Sequence, residues 1–317
     1  MKAVFLDYAS LGPDLDVRAL QTLLPELELY DVTESEQLYD RIQGMELILT
    51  NKAKFDAQLF RDHPQLKFIG LTATGTDNVD LLAAQQHGVA VCNIRDYCTQ
   101  SVAEHVFGCL LHLTHNIGRY SDTVSAGEWQ KADDFCLMSH PIRELSTMTM
   151  GIVGYGALGR GVANIANAFG MEVIISQRPG TNRIDDDRVS FDELLQRADV
   201  ISLHCPLTKD TAGLFAGREF RKMKSNAILI NTARGGLVDS AALLSALLDG
   251  EISAAAVDVL PQEPPVDGDP LLDYQGPNLL VTPHVAWGTN EARQAAIDQL
   301  TDCVAAFIDG DDYNRVV

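Results

Sequence analysis

At 317 residues the chain exceeds what one ordinary hydrophobic core supports, so two domains are expected. With 46% hydrophobic and 21% charged residues, a mean hydropathy of −0.01 and no apolar run of membrane-spanning length, it reads as a soluble globular protein. The formal charge of −20 repels nucleic acid and anionic membrane, excluding both as expected partners; an anionic substrate would need a local concentration of cations.

From the N-terminus, Lys2-Ala-Val-Phe-Leu-Asp7 places an acid where a signal peptide would be apolar, so it predicts a first β-strand. Val4–Leu6, Leu47–Thr50, Phe68–Leu71 and Val89–Val91 are predicted as short buried strands, with amphipathic stretches such as Asp14–Leu24 and Asn78–His87 between them. That alternation implies a parallel sheet with helices on both faces. Ser101-Val-Ala-Glu104 has the form of a capping box and opens a helix running to about Leu113. Gly127–Ser146, with Trp129, Phe135, Met138 and Pro141, breaks the rhythm and reads as an irregular arm. Strands then resume at Gly151–Val153, Val173–Ser176, Val200–Leu203, Ala227–Asn231, Ala255–Val257 and Leu279–Thr282. The last helix, Asn290–Ile308, is expected to return to the first domain, so one α/β domain is inserted into another.

Asp185–Asp187 and Asp309–Asp312 read as solvated charge without calcium-loop spacing. Cysteines 92, 98, 109, 136, 205 and 303 are scattered with no C-x-x-C pair, which suits a reducing cytoplasm. His105, Cys109, His112 and His115 share helical spacing as a metal site might, but no carboxylate or second cysteine cluster completes it; a buried or dimer-facing helix is expected and no metal.

The run Gly151-Ile-Val-Gly154-Tyr-Gly156-Ala-Leu-Gly159-Arg-Gly161 carries G-x-G-x-x-G. Met148–Val153 before it reads as a strand, Val162–Phe169 as a helix and Glu172–Ser176 as the next strand, which is the context of a Rossmann dinucleotide-binding turn. The first glycine makes the tight turn, the second lets the backbone approach a pyrophosphate, and the third lets helix pack on strand. The pyrophosphate would sit on the helix N-terminus. Arg160 reads as helix surface or as a second neutralising charge.

Three polar residues follow strands of this domain: Arg234 in Asn231–Asp239, Glu263 in Asp258–Pro264, and His284 in Thr282–Trp287. Ligands of open α/β sheets bind beyond the carboxyl ends of strands, so the three can converge. Singly, each could be structural: a post-strand arginine is often part of a surface ion pair, and a histidine after proline is often a turn residue.

Together with Ala73–Asp80, Val102-Ala-Glu-His105, GYGALG and His204-Cys-Pro-Leu-Thr208, these stretches resemble, from end to end, the D-isomer-specific 2-hydroxyacid dehydrogenases. The resemblance implies a Rossmann NAD(P)-binding domain at 99–287, including a dimerisation arm at 101–146. That domain is inserted into a flavodoxin-like substrate-binding domain at 1–98 plus 288–317, both doubly wound α/β parallel sheets, with the active site in the cleft between them. It assigns catalysis to Arg234, Glu263 and His284: protonated, His284 would give a proton to the carbonyl oxygen as hydride arrives, Glu263 would favour its charged form and orient it, and Arg234 would fork onto the substrate carboxylate. Glutamine at 263 would instead have suggested formate-dehydrogenase-like chemistry. It implies substrate contacts from Thr74, Gly75, Thr76, Arg234, His284 and Trp287. Lys52 reads equally as an added cation and as an exposed surface lysine. Implied cofactor contacts are Val102, Gly154, Tyr155, Gly156, Ala157, Leu158, Gly159, Gln177, Arg178, Cys205, Pro206, Thr211, Thr232, Ala233, Arg234, Asp258 and His284. Glu104 is placed near the domain junction, and His105 is expected to be structural.

The family's ribose-binding acid aligns with Gln177, which does not repel a 2′-phosphate, while Arg178 could pair with one or stack beneath adenine. The cofactor expected is NAD(P), leaning modestly to NADP. Thr50-Asn-Lys52, Ser139–Leu145 and His284-Val-Ala-Trp287 resemble the glycerate dehydrogenase/hydroxypyruvate reductase branch, implying a small 2-keto or 2-hydroxy acid as partner and a homodimer. Ending soon after its last helix, the chain is expected to lack the regulatory domain of long phosphoglycerate dehydrogenases. Lactate- or phosphite-type dehydrogenases and a nucleotide-sensing corepressor-like protein are the alternatives on the same scaffold.

Overall fold

The computed structural model describes residues 1–178 and 187–317; Asp185 and Asp186 of the expected acidic loop lie outside them. The chain divides into two compact units, Met1–Cys98 with Gly288–Val317, and Thr99–Trp287.

The first unit holds a five-stranded parallel sheet of order β2-β1-β3-β4-β5. Its strands are β1 (Ala3–Phe5), β2 (Leu27–Leu29), β3 (Leu47–Thr50), β4 (Phe68–Leu71) and β5 (Ala90–Asn93). That order is the flavodoxin-like one. Every residue of β1, β3, β4 and β5 is buried, as unbroken apolar runs in a sheet covered on both faces require. Val4, Ile48, Ile69 and Val91 stand in register across the sheet and pack with Phe55 and Phe60. The helix Asn290–Asp309 covers β4 and β5. Phe307 lies 4.8 Å from Phe68, and Leu300 comes within 2.6 Å of where a Cβ on Gly70 would stand. The strand β2 escaped the sequence reading because it is a three-residue edge strand with two exposed residues and no apolar run.

The second unit holds a six-stranded parallel sheet of order β11-β10-β9-β8-β6-β7. These strands are β6 (Thr149–Val153), β7 (Glu172–Ile175), β8 (Val200–Leu203), β9 (Ile228–Asn231), β10 (Ala254–Val257) and β11 (Leu279–Val281). Beyond β7 the sheet is extended by a single parallel bridge, Ser176 to Val189. Counting that bridge as a vestigial strand, the order is the doubly wound dinucleotide one, with its reversal between β6 and β8. Val153, Ile201, Leu203, Leu229 and Val257 form the core with Phe215 and Phe220.

The helix expected to open at Ser101 begins at Thr99 and runs to His115. Ser101 is therefore inside the first turn and caps nothing; its hydroxyl donates to the Ala286 carbonyl at 2.7 Å, while Glu104 accepts from Gln100 Nε2. The capping-box expectation was wrong because the serine's partner lies far along the chain. Within the 101–146 arm lie a helix, Ile117–Ser125, a 3-10 turn at Trp129–Lys131 and, at its end, another at Leu145–Thr147. Tyr120 Oη on the His140 carbonyl and Trp129 Nε1 on the Phe135 carbonyl tie the remainder down. Trp129, Phe135 and Met138 are 51%, 86% and 78% exposed. Among the described residues no helix is long and apolar enough to cross a membrane.

Candidate active site

The turn after β6 shows why each glycine is there. Gly154 has φ +94°, and a Cβ on it would stand 2.5 Å from the Cys205 nitrogen, so the turn runs hard against the end of β8. A Cβ on Gly159 would overlap the Gly154 carbonyl oxygen. Gly156 differs: a Cβ there meets nothing within 4 Å. Packing demands the first and third glycines, whereas the second borders open space. The helix Ala157–Ala168 starts next to it without a side-chain cap, leaving its first-turn N–H groups to an anion. Tyr155 and Leu158 flank this turn, and Arg160 folds back onto the Tyr155 carbonyl at 3.2 Å.

The neighbouring strand ends supply polar groups. Gln177 is 8% exposed and its N–H donates to the Val189 carbonyl; Arg178 beside it is exposed. Arg188 Nη1 reaches the Ser176 carbonyl at 3.4 Å, bringing a second guanidinium that the sequence reading missed. The bridge to Val189 is its only trace in the pattern.

After β8, His204 Nε2 contacts Ser202 Oγ at 2.8 Å while Nδ1 is buried without a partner in the protein. Burial pushes this imidazole down to about 4, so it is neutral. Cys205 is buried and Pro206 exposed. Thr211, expected to touch the cofactor, spends its hydroxyl on the Pro206 carbonyl and the Thr208 N–H, so it shapes the loop. After β9, Thr232 has a buried hydroxyl without a partner, next to buried Ala233. An open glycine, an uncapped helix and two orphaned polar atoms at adjacent strand ends fit a bound dinucleotide.

Beyond β9, β10 and β11 the candidate proton-transfer group assembles. A Cβ on Gly235 would overlap the Leu260 backbone, so the turn carrying Arg234 lies against Leu260. Arg234 itself is exposed, with Nη1 donating to the Ala233 carbonyl and its own carbonyl accepting from Asn231 Nδ2. The Leu260 N–H donates to Glu263 Oε1 at 2.9 Å, and Glu263 Oε2 meets His284 Nδ1 at 2.6 Å. Leu260 is thus the joint between the arginine turn and the carboxylate–imidazole pair. Its part is played by backbone atoms, which no sequence motif advertises. The His284 and Glu263 side chains are 29% and 34% exposed, so the pair is open to a reactant.

His284 has φ +55° and its N–H donates to the Asp258 carbonyl at 2.7 Å. The Asp258 carboxylate, in a residue only 2% exposed, accepts from Thr282 Oγ1 at 2.6 Å and from the N–H groups of Val285 and Ala286, each at 2.9 Å. The Asp258 carboxylate, in a residue expected at the cofactor, thus holds the histidine turn. Val102, also expected at the cofactor, is 3% exposed. Trp287 Nε1 donates to the His284 carbonyl at 3.1 Å, so the indole is tied to the backbone of the histidine turn.

In the first unit, Lys52 follows β3 and Thr74-Gly75-Thr76 follows β4, at the carboxyl ends of adjacent strands. The carboxylate of Asp7, two residues past β1, accepts from Thr50 Oγ1 and from the N–H groups of Asn51 and Lys52. Asn93 Nδ2 donates to the Thr74 carbonyl at 2.7 Å. Asp7 and Asn93 shape these loops, a role that the sequence signalled for neither.

Residues 107–286 match the model of the D-isomer-specific 2-hydroxyacid dehydrogenase NAD-binding domain. Over 316 residues, 99% of this chain and 98% of the relative, it is 45% identical to a glycerate dehydrogenase of Methylorubrum extorquens. It is 35% identical to a hydroxypyruvate reductase of Blautia hydrogenotrophica, covering 100% of this chain and 99% of that one. Among solved structures, an acyclic imino acid reductase in complex with NADPH and D-Arg superposes with a TM-score of 0.86 at 26% identity, covering 100% of both chains. With the glycine turn, the strand order and these matches in agreement, the chain belongs to the D-isomer-specific 2-hydroxyacid dehydrogenase family.

Proposed function

We propose that the protein reduces small 2-keto acids, hydroxypyruvate and glyoxylate foremost, to D-2-hydroxy acids using NAD(P)H. The observation that carries this reading is the 2.6 Å contact of Glu263 Oε2 with His284 Nδ1. A bound nicotinamide dinucleotide, held by the Gly154–Gly159 turn, supplies the hydride. Negative charge then grows on the carbonyl oxygen, and His284, protonated on the Nε2 side remote from Glu263, gives it a proton. Glu263 accepts a hydrogen bond from Nδ1–H and so orients the ring, and its own orientation is fixed by the Leu260 N–H. Arg234 holds the substrate carboxylate through its fork. The family resemblance supports Thr74-Gly75-Thr76 and Lys52 as backbone donors and a cation for a substrate carboxylate, and Trp287 as a residue that favours small acids. In this reading Met1–Cys98 with Gly288–Val317 is the substrate-binding domain. The names of the two relatives, glycerate dehydrogenase and hydroxypyruvate reductase, support the substrate class.

For the nucleotide, neutral Gln177 with Arg178 favours acceptance of the 2′-phosphate of NADP. The exposed aromatic arm at 101–146 is assigned to a homodimer interface. Six unpaired cysteines support a reducing compartment such as the cytoplasm.

Initial rates with hydroxypyruvate, glyoxylate, pyruvate and a bulky keto acid, each with NADH and NADPH, test the reading. Preference for the bulky acid overturns the substrate class, and absence of turnover with all of them favours a nucleotide sensor. His284→Asn is expected to lower kcat by roughly 10²–10⁴-fold while dinucleotide binding persists.

A further inference from the structure

We propose that Ser101 and His105, one turn apart on the helix Thr99–His115, position His284 by clamping both ends of its turn. The inference rests on His284 being the proton-transfer group. A non-glycine residue at φ +55° persists only where its surroundings over-determine the backbone, and here they do. Asp258 grips the turn through Thr282, Val285 and Ala286, as described above.

The helix grips the same turn at two further points. Ser101, 5% exposed, donates its hydroxyl proton to the Ala286 carbonyl at 2.7 Å, after the histidine. His105 Nε2 meets Thr282 Oγ1 at 3.2 Å, before the histidine. The Thr282 hydroxyl has one proton, and the 2.6 Å contact commits it to Asp258 Oδ1, a carboxylate that can only accept. His105 must therefore carry its proton on Nε2 and donate it. That fixes the tautomer and completes the chain His105 → Thr282 → Asp258. The same Nε2 lies 3.8 Å from Asp258 Oδ1, so the buried carboxylate also draws on the imidazole.

This helix has a second attachment. A Cβ on Gly161 would stand 2.7 Å from Thr99 Cγ2, so the helix that follows the glycine turn lies directly against the start of the clamp helix. One rigid element thus seats both the dinucleotide turn and the proton donor. Neither Ser101 nor His105 needs to touch a reactant; both act through Ala286 and Thr282.

Full-length Ser101→Ala, His105→Leu and His105→Gln are compared with wild type for kcat, KM for hydroxypyruvate, and dinucleotide affinity by fluorescence titration. His284→Asn serves as the control. Ser101→Ala and His105→Leu are expected to lower kcat about ten- to a hundredfold with dinucleotide affinity within about twofold. His105→Gln, whose amide can donate to Thr282, should recover most of the loss. A purely structural histidine would show no such rescue and would lose nucleotide affinity in step with kcat; either result overturns the proposal. If His105→Leu fails to fold, Ser101→Ala against His105→Gln still decides, since wild-type kcat in Ser101→Ala rejects the clamp. Wild-type turnover in His284→Asn overturns the proton-transfer reading and the clamp with it. A dead His284→Asn beside fully active clamp variants removes the clamp alone.

Discussion

His204 at the end of β8 carries a pH signal separate from catalysis. Burial holds its imidazole at about 4, well below the ordinary value of about 6.5, so the fold keeps it neutral while the unfolded chain takes up a proton first. Stability from this group is complete above about pH 6.5 and is lost as pH falls toward 4, amounting to at most about 3 kcal/mol. Urea midpoints of wild type and His204→Asn between pH 4.5 and 7.5 should show a steeper acid decline in wild type. Parallel curves would rule the effect out. At this scale the sequence was informative where chemistry sits in a short string after a strand. Arg234, Glu263 and His284 stood out by residue type and place, and Glu263 and His284 meet as expected. It was silent on Leu260, whose contribution is an amide hydrogen, and misleading on Ser101, whose partner Ala286 lies 185 residues away. Local pattern carries no record of such distant pairing.

The turn joining β6 to its helix separates glycines needed for folding from one needed for binding. A Cβ on Gly156 meets nothing, so Gly156→Val should fold with a Tm close to wild type while weakening the dinucleotide at least tenfold, about 1.4 kcal/mol. A Cβ on Gly159 collides with backbone, so Gly159→Ala should be destabilised by roughly 1–3 kcal/mol. Thermal melts with and without NADPH distinguish the two; equal stability losses would refute the division of roles. Elements were legible in proportion to how buried they are. The apolar runs of β3, β4 and β8 declared themselves, since strands covered on both faces must be apolar throughout. β2 and the Ser176–Val189 bridge did not, being edge pairings held by backbone groups with little side-chain burial.

Over the whole molecule, a formal charge of −20 coexists with an exposed apolar stretch at Trp129, Phe135 and Met138. Such charge opposes non-specific association, so apolar groups this exposed point to one specific cover, assigned above to a second copy of the chain. Phe135→Glu combined with Met138→Glu should shift a dimer to a monomer by light scattering at micromolar concentration. A monomeric wild type would contradict the assignment.

The division of the first unit into Met1–Cys98 and Gly288–Val317 also orders events during synthesis. The helix Asn290–Asp309 covers β4 and β5, and the Val316 N–H donates to the Val91 carbonyl. The first 98 residues therefore leave the ribosome without the cover for their sheet, and wait while 189 more are made. The unit Thr99–Trp287, continuous in sequence, is complete before them. The earliest part of the chain to be translated is the last to close, and its apolar face is the one a chaperone would meet.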